Sequence, residues 1–185
     1  MNLPPDELAI RARGVRLLLL DCDGVLTDGS LYYVSDGGRV WEAVKAFHIH
    51  DGQGLRLARE AGLKLGVISG RTSAALAERA RELSFDHLYQ GVADKLGVYG
   101  QIRAAEGLSD EQIAYLGDDL PDLPPLGRAG LALAVADAVA EVRDGAHYVT
   151  RKPGGRGAVR EAVELILKAQ GSWERLVGSF LDMTP

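Results

Sequence analysis

An α/β fold built on a parallel central sheet is predicted by three observations on this chain. Short apolar runs alternate with longer segments of helical period. Polar motifs recur directly after the apolar runs, where an open parallel sheet binds its ligands. Hydrophobic residues make up 46% of 185 positions, enough for the core of one domain of ordinary size.

Taken in order, the strands are expected at Val15–Leu20, Leu65–Ser69, His87–Tyr89, Ile113–Leu116, Leu131–Val135 and Tyr148–Val149. Helices are expected between them at Gly52–Ala61, Thr72–Leu83, Asp94–Glu106, Leu123–Ala129, Ala138–Asp144 and Gly157–Ala169. Leu55, Ala58 and Ala61 share one helical face, as do Leu76, Ala80 and Leu83. Ser69 or Thr72 is a candidate cap for the second helix. Residues 30–47 break the rhythm: two β-rich arms flank Ser35-Asp36-Gly37-Gly38, a hairpin signal. The chain reads as one domain over residues 1–185. Residues 1–14 and 171–185 lack a neighbouring strand and are expected to be loosely tied ends.

Charge and composition narrow the function. The formal charge is -5, from 21 Lys and Arg against 26 Asp and Glu, with no basic tract, which argues against a nucleic-acid partner. Cys22 is the lone cysteine, so neither an internal disulfide nor a cysteine-rich zinc site is available. Val15–Leu20 is too short to span a bilayer and carries no cleavage signal. These features point to a cytoplasmic protein without a membrane partner.

Four polar motifs follow the apolar runs: Asp21-Cys22-Asp23-Gly24, Ser69 in ISGR, Lys95 after LYQG, and Asp118-Asp119 in YLGDD. At strand ends of one sheet they converge on one crevice. Crowded carboxylates repel one another and need a cation. With oxygen donors alone, that cation is Mg²⁺ rather than Zn²⁺, and Mg²⁺ commonly takes a further ligand from a substrate phosphate. A nearby lysine and a small hydroxyl would hold the other phosphate oxygens. The set suits phosphoryl transfer with a carboxylate nucleophile.

These motifs resemble the haloacid dehalogenase superfamily. The longer series DGVLTDG, KAFHIHDGQG, ISGR, LYQGVADK, YLGDDLPDLP, AVADA and YVTRKPGGRGAVRE is similar to the 3-deoxy-D-manno-octulosonate 8-phosphate phosphatases, over roughly residues 14–170. The resemblance implies a Rossmann-like three-layer α/β/α architecture and a Mg²⁺-dependent homotetrameric phosphatase serving lipopolysaccharide biosynthesis. It makes Asp21 the nucleophile and Asp23 the general acid and base. It assigns Mg²⁺ to the Asp21 carboxylate, the Asp23 backbone carbonyl and Asp118, and the phosphoryl oxygens to Ser69 and Lys95. The sugar-contacting stretch maps onto His48, Ile49, His50, Asp51 and Gly52, with Arg71, Arg79 and Lys95 as further contacts. One departure is visible: relatives commonly carry Arg where this chain has His50, which is mostly neutral near pH 7.

Other readings make different demands. A phosphatase for a nine-carbon sialic-acid-type 9-phosphate would use the same scaffold. A receiver-like phospho-switch would place its acidic pair after the first strand and its phosphorylated Asp later. GGRG at 154–157 is either an anion nest or a plain loop. Between Asp23 and Ser69 there is room only for the hairpin and one helix, and between Ser69 and Lys95 only for a helix and a strand. No cap domain fits in either gap. Leu31, Tyr33, Val40, Trp41 and Val44 give the hairpin an apolar surface, so hairpins of different subunits are expected to pack together and cover neighbouring sites. The tail, with Phe180 and Leu181, is expected to reach toward the same opening.

Overall fold

The structure, a computed structural model, describes residues 3–181, with the side chains of residues 40–43 excepted. Four consecutive leucines form β1 (Leu17–Leu20), and all four are fully buried. A strand apolar on both faces needs cover on both, which suits the centre of a parallel sheet. The hairpin follows as β2 (Tyr32–Ser35) and β3 (Val40–Val44), paired antiparallel as expected. The remaining strands are β4 (Lys64–Ile68), β5 (His87–Tyr89), β6 (Ile113–Gly117), β7 (Leu131–Ala134) and β8 (Tyr148–Val149). With β1 they form a six-stranded sheet in the order β5-β4-β1-β6-β7-β8, parallel throughout.

Helices α1 (Pro5–Gly14) and α2 (Ile49–Glu60) both pack on α7 (Ala158–Ala169), and α4 (Lys95–Glu106), α5 (Leu123–Leu126) and α6 (Ala140–Gly145) form a second group. The sheet between them completes the three layers. Helix α3 (Ala74–Glu82) lies between β4 and β5 in the chain. Its cap is Ser73, whose hydroxyl accepts from Leu76 N at 3.5 Å, in place of the expected Ser69 or Thr72. Helix α2 starts three residues before the expected Gly52, because His48 Nδ1 accepts the His50 amide at 3.3 Å and closes its first turn.

Within the segments expected to be loosely tied, residues 5–14 and 173–181 form helices. Pro5 opens α1, acidic Asp6 and Glu7 sit in its first turn, and Arg11 and Arg13 in its last, matching the helix dipole. Leu8 and Ala12, one turn apart, are buried, and Arg13 Nε donates to Ala169 O at 3.2 Å. At the other end α8 (Trp173–Leu181) buries Leu176, while Arg160 stacks over Trp173 at 4.9 Å. Docking onto α7 replaces the strand partner that these segments lack.

The hairpin stands apart from this core. Tyr32, Tyr33, Val34 and Val44 are all at least 45% exposed, an unusual concentration of large apolar side chains. The side chains of Val40 and Trp41, counted with this surface from the sequence, lie outside the described residues. No described helix is long and apolar enough to cross a membrane.

Candidate active site

Strand order reverses at β1, whose neighbours are β4 on one side and β6 on the other. Such a switch point opens a crevice beyond the carboxyl ends of the strands. Asp21 is the first residue past β1, and its amide still donates to Leu116 O at 3.1 Å, so the sheet ladder runs into the site. Asp118 is the first residue past β6, Ser69 the first past β4, and Lys95 opens α4.

Three of the predicted residues meet here, around a fourth that the sequence pattern did not single out. Lys95 Nζ lies 2.8 Å from Asp21 Oδ1 and 2.7 Å from Asp122 Oδ1. Asp122 is fully buried and its lone pairs are spoken for: Tyr115 donates its hydroxyl to Oδ1 at 2.7 Å, and the amides of Asp118 and Asp119 donate to Oδ2 at 3.0 and 3.3 Å. It therefore fixes Lys95 and the backbone that carries Asp118. Burial acts against the charge on Lys95, but the carboxylates of Asp21 and Asp122 outweigh it and raise its pKa.

The loop after Asp21 is wound around one carbonyl. Cys22 O accepts the amides of Val25, Leu26 and Thr27 at 3.3, 2.9 and 3.0 Å. Gly24 permits this with φ +95°, and a Cβ at that position would lie 2.0 Å from Asp118 Oδ2. Asp23 pairs with the buried Lys45, and its Oδ2 is 3.9 Å from Arg71 Nε. Ser69 is buried, and its hydroxyl bonds the backbone of Arg71, donating to O at 3.1 Å and accepting from N at 3.2 Å. Arg71 Nη2 also donates to Tyr33 Oη at 3.4 Å, which connects the hairpin to the site.

The expected sugar-binding stretch lines cavities flanking α2. Ile49, His50, Gly52 and Arg79 line a cavity of about 360 Å³ between α2 and α3, and His48 and His50 line another of about 420 Å³ beside α7. Neither is lined by Asp21, Asp118 or Lys95. Arg79 is held by Glu82 at 2.7 Å and by the Phe47 ring at 5.7 Å. Asp51, within that stretch, is 2% exposed and accepts from Gly157 N at 3.1 Å and Arg160 N at 2.7 Å. Its carboxylate thus ties α2 to the start of α7. The GGRG segment is a plain loop, since its amides are already used: Gly154 N by Asp137 Oδ1 at 2.9 Å and Gly155 N by Val25 O at 2.9 Å.

The donor set fits a divalent cation. One ligand atom from each of Asp21, Asp118 and Asp122 falls within 4.8 Å of the others, and Asp118 Oδ1 is buried with no hydrogen-bond partner among the described residues. Such an atom asks for a cation. Burial, then Asp21 and Asp122, push Asp118 up to about 8; burial, then Asp122, push Asp21 up to about 6 despite Lys95. Without metal, the folded chain thus holds protons that the unfolded chain releases between about pH 4 and about pH 8. The metal-free protein is therefore expected to lose stability as pH rises through that window, and Mg²⁺ to remove most of the loss. Thermal unfolding in EDTA across this range, with and without excess Mg²⁺, checks the point; a pH-independent Tm in EDTA contradicts it.

No family model matches the chain. Individual relatives do. The chain is 44% identical over 173 residues to the 3-deoxy-D-manno-octulosonate 8-phosphate phosphatase KdsC of Yersinia pestis, covering 94% of this chain and 90% of the relative. A probable YrbI family phosphatase from Pseudomonas syringae superposes with a TM-score of 0.91 at 46% identity, covering 95% of this chain and 98% of that one. The Moraxella catarrhalis 3-deoxy-D-manno-octulosonate 8-phosphate phosphatase, solved with magnesium, phosphate and KDO, gives 0.90 at 39% identity, with coverage of 95% and 98%. With likeness of this extent along nearly the whole chain, and the carboxylate–lysine cluster in place, the chain belongs to the 3-deoxy-D-manno-octulosonate 8-phosphate phosphatases of the haloacid dehalogenase superfamily.

Proposed function

We propose that this chain hydrolyses the phosphate ester of 3-deoxy-D-manno-octulosonate 8-phosphate, releasing the free sugar acid for lipopolysaccharide biosynthesis. The observation that carries the chemistry is Asp21, held by buried Lys95 beside the unpartnered Asp118 oxygen. An Asp21 oxygen attacks phosphorus. The ester bond to the sugar breaks as Asp23 gives its proton to the departing oxygen. Water then attacks the aspartyl-phosphate while Asp23 takes its proton, the bond to Asp21 breaks, and inorganic phosphate leaves. Lys95 and Ser69 hold phosphoryl oxygens. Asp21 and Asp118, with the Asp23 backbone carbonyl, would hold Mg²⁺, which when bound screens the carboxylates from the incoming phosphate dianion. Asp122, saturated by its hydrogen bonds, keeps that set in place.

Sugar recognition falls to Arg71, beside Asp23, and to His48, Ile49, His50, Gly52 and Arg79 around their separate cavities. The exposed apolar hairpin supports a homotetramer in which hairpins of different subunits pack together and each covers a neighbour's site. Tyr33→Asp combined with Trp41→Asp is expected to give monomers by sedimentation, with sugar-phosphate turnover severely reduced and a small aryl phosphate comparatively spared. A selective, fully active monomer contradicts the shared cover. The lone buried Cys22 and the lack of a spanning helix among the described residues fit work in the cytoplasm.

Phosphate release from a substrate panel tests the activity: the eight-carbon 8-phosphate, a sialic-acid-type 9-phosphate and a generic aryl phosphate, each with Mg²⁺ and with EDTA. The expected outcome is preference for the first, dependent on Mg²⁺. Preference for the nine-carbon ester reassigns the substrate, and full turnover in chelator removes the metal from the mechanism.

A further inference from the structure

Asp51 presents a puzzle. A helix is ordinarily capped by a polar residue at its own N-terminus, exposed and cheap to maintain. The cap position of α7 is Gly157, with φ +107° and no side chain to offer. The acceptor comes instead from α2, 106 residues away in the chain, as a carboxylate with only 2% exposure. Burying an ionised group is unfavourable unless it is fully bonded. Burial accordingly raises the Asp51 pKa, against the two amides that lower it.

What this bond secures is the turn just before α7. Gly155 N donates to Val25 O at 2.9 Å, and Arg156 Nη2 donates to Asp28 Oδ2 at 2.9 Å, both on the loop that follows Asp21. Gly154 is pressed so closely on that loop that a Cβ there would lie 1.6 Å from Gly24 O. Gly24 in turn abuts the Asp118 carboxylate. A continuous line of close contacts runs from α2 through the turn at 154–157 and the loop to the carboxylate with the unpartnered oxygen.

We propose that Asp51 is a positioning residue, whose carboxylate clamps the turn at 154–157 onto the loop after Asp21 and so sets where Gly24 and Asp118 stand. This rests on the reading of Asp21 and Asp118 as the phosphoryl-transfer and metal site. The clamp explains why so polar a group is kept inside the protein, where an apolar residue would pack at less cost. It also predicts that loosening α7 at its first turn disturbs metal binding, whereas loosening the same helix further along does not.

The test compares Asp51→Ala and Asp51→Asn with Val163→Ala, which removes buried methyl groups from the middle of α7. Three quantities are read at a temperature where each protein is folded: calorimetric Mg²⁺ affinity, amide hydrogen exchange over residues 24–28, and kcat and KM on the aryl phosphate. Asp51→Ala is expected to weaken Mg²⁺ binding by about 10–100-fold, the usual effect of removing a group that orients a metal ligand. It should also speed exchange at the loop and lower kcat with KM nearly unchanged. Asp51→Asn keeps one acceptor in the same volume and should fall between, which preserves the test if the Ala variant does not fold. Val163→Ala should lower Tm and leave all three readings as in the wild type. Wild-type Mg²⁺ affinity and loop exchange in both Asp51 variants overturn the clamp, as do losses no greater than those of Val163→Ala. Should the wild type hydrolyse no phosphate ester, the functional reading fails, while affinity and exchange still judge the clamp.

Discussion

Asp21→Asn is expected to abolish phosphate-ester turnover, by on the order of 10⁵–10⁶-fold, the scale seen when an enzyme loses its nucleophile. The amide has the shape of the carboxylate but is a feeble nucleophile, and its oxygen can still accept from Lys95. The fold should be untouched, because the Asp21 backbone stays in the sheet through Leu116. Stability should in fact rise when metal is absent: burial and Asp122 make ionised Asp21 unfavourable at neutral pH, and the amide removes that repulsion. Loss of turnover with a higher Tm in EDTA is thus the combined signature. A merely structural Asp21 would instead give a lower Tm, and retained turnover would place the nucleophile elsewhere. Trapping a fluoroberyllate adduct on the wild type, and failing to do so on Asp21→Asn, links the loss to the phosphorylated position.

Lys95→Met should be the most destabilising of the site substitutions. Met fills similar length without charge, so buried Asp21 and Asp122 are left facing each other without the ammonium between them. Breaking a buried charge pair from one side costs about 3–5 kcal/mol, because the remaining charge is uncompensated. The deficit should be large at neutral pH and shrink in acid, where Asp21 takes up a proton. Excess Mg²⁺ should recover part of it. Turnover should fall by about 10²–10³-fold even where the protein is folded, since the donor proposed for the phosphoryl oxygens is gone. Urea unfolding at acidic and neutral pH, beside steady-state rates, separates the two effects. Wild-type stability at neutral pH would mean that Lys95 does not hold the carboxylates together.

Much of this site was legible in the chain because its chemistry sits at strand ends. Asp21, Ser69 and Asp118 each follow an apolar run directly, and the parallel sheet turns that linear regularity into proximity. Asp122 escaped notice although it stands in the same GDDLPD segment, four residues after Asp118. Its role depends on Tyr115 pointing from within β6 and on Lys95 arriving from α4, and neither direction is written in the local sequence. Lys45 escaped for a similar reason, since it meets Asp23 only after the hairpin folds back. The tie from Asp51 to α7 was not legible either: Asp51 follows His48 and His50 in the chain, and its side chain meets the amides of Gly157 and Arg160 only once the two helices pack. The end helices were legible in part, for Leu8 and Ala12 share a face and Pro5 marks a helix start. Expecting every tied-down segment to need a strand partner hid them.

The amide of Asp21 extends the sheet's own ladder, one residue past the strand flanked by sheet on both sides. Amides of central strands lie toward the high end of opening free energies, close to that of global unfolding. The backbone that carries the Asp21 carboxylate therefore has little local freedom to loosen. A substitution in a distant helix that takes a kilocalorie from the fold lowers how many molecules are native at a given moment, while each native molecule keeps its geometry at Asp21. In a cell, such variants would show themselves as reduced abundance under proteolysis, with nearly normal turnover per surviving enzyme. For this backbone position, heritable damage and catalytic damage are separable quantities, and measuring rate against folded concentration tells one from the other.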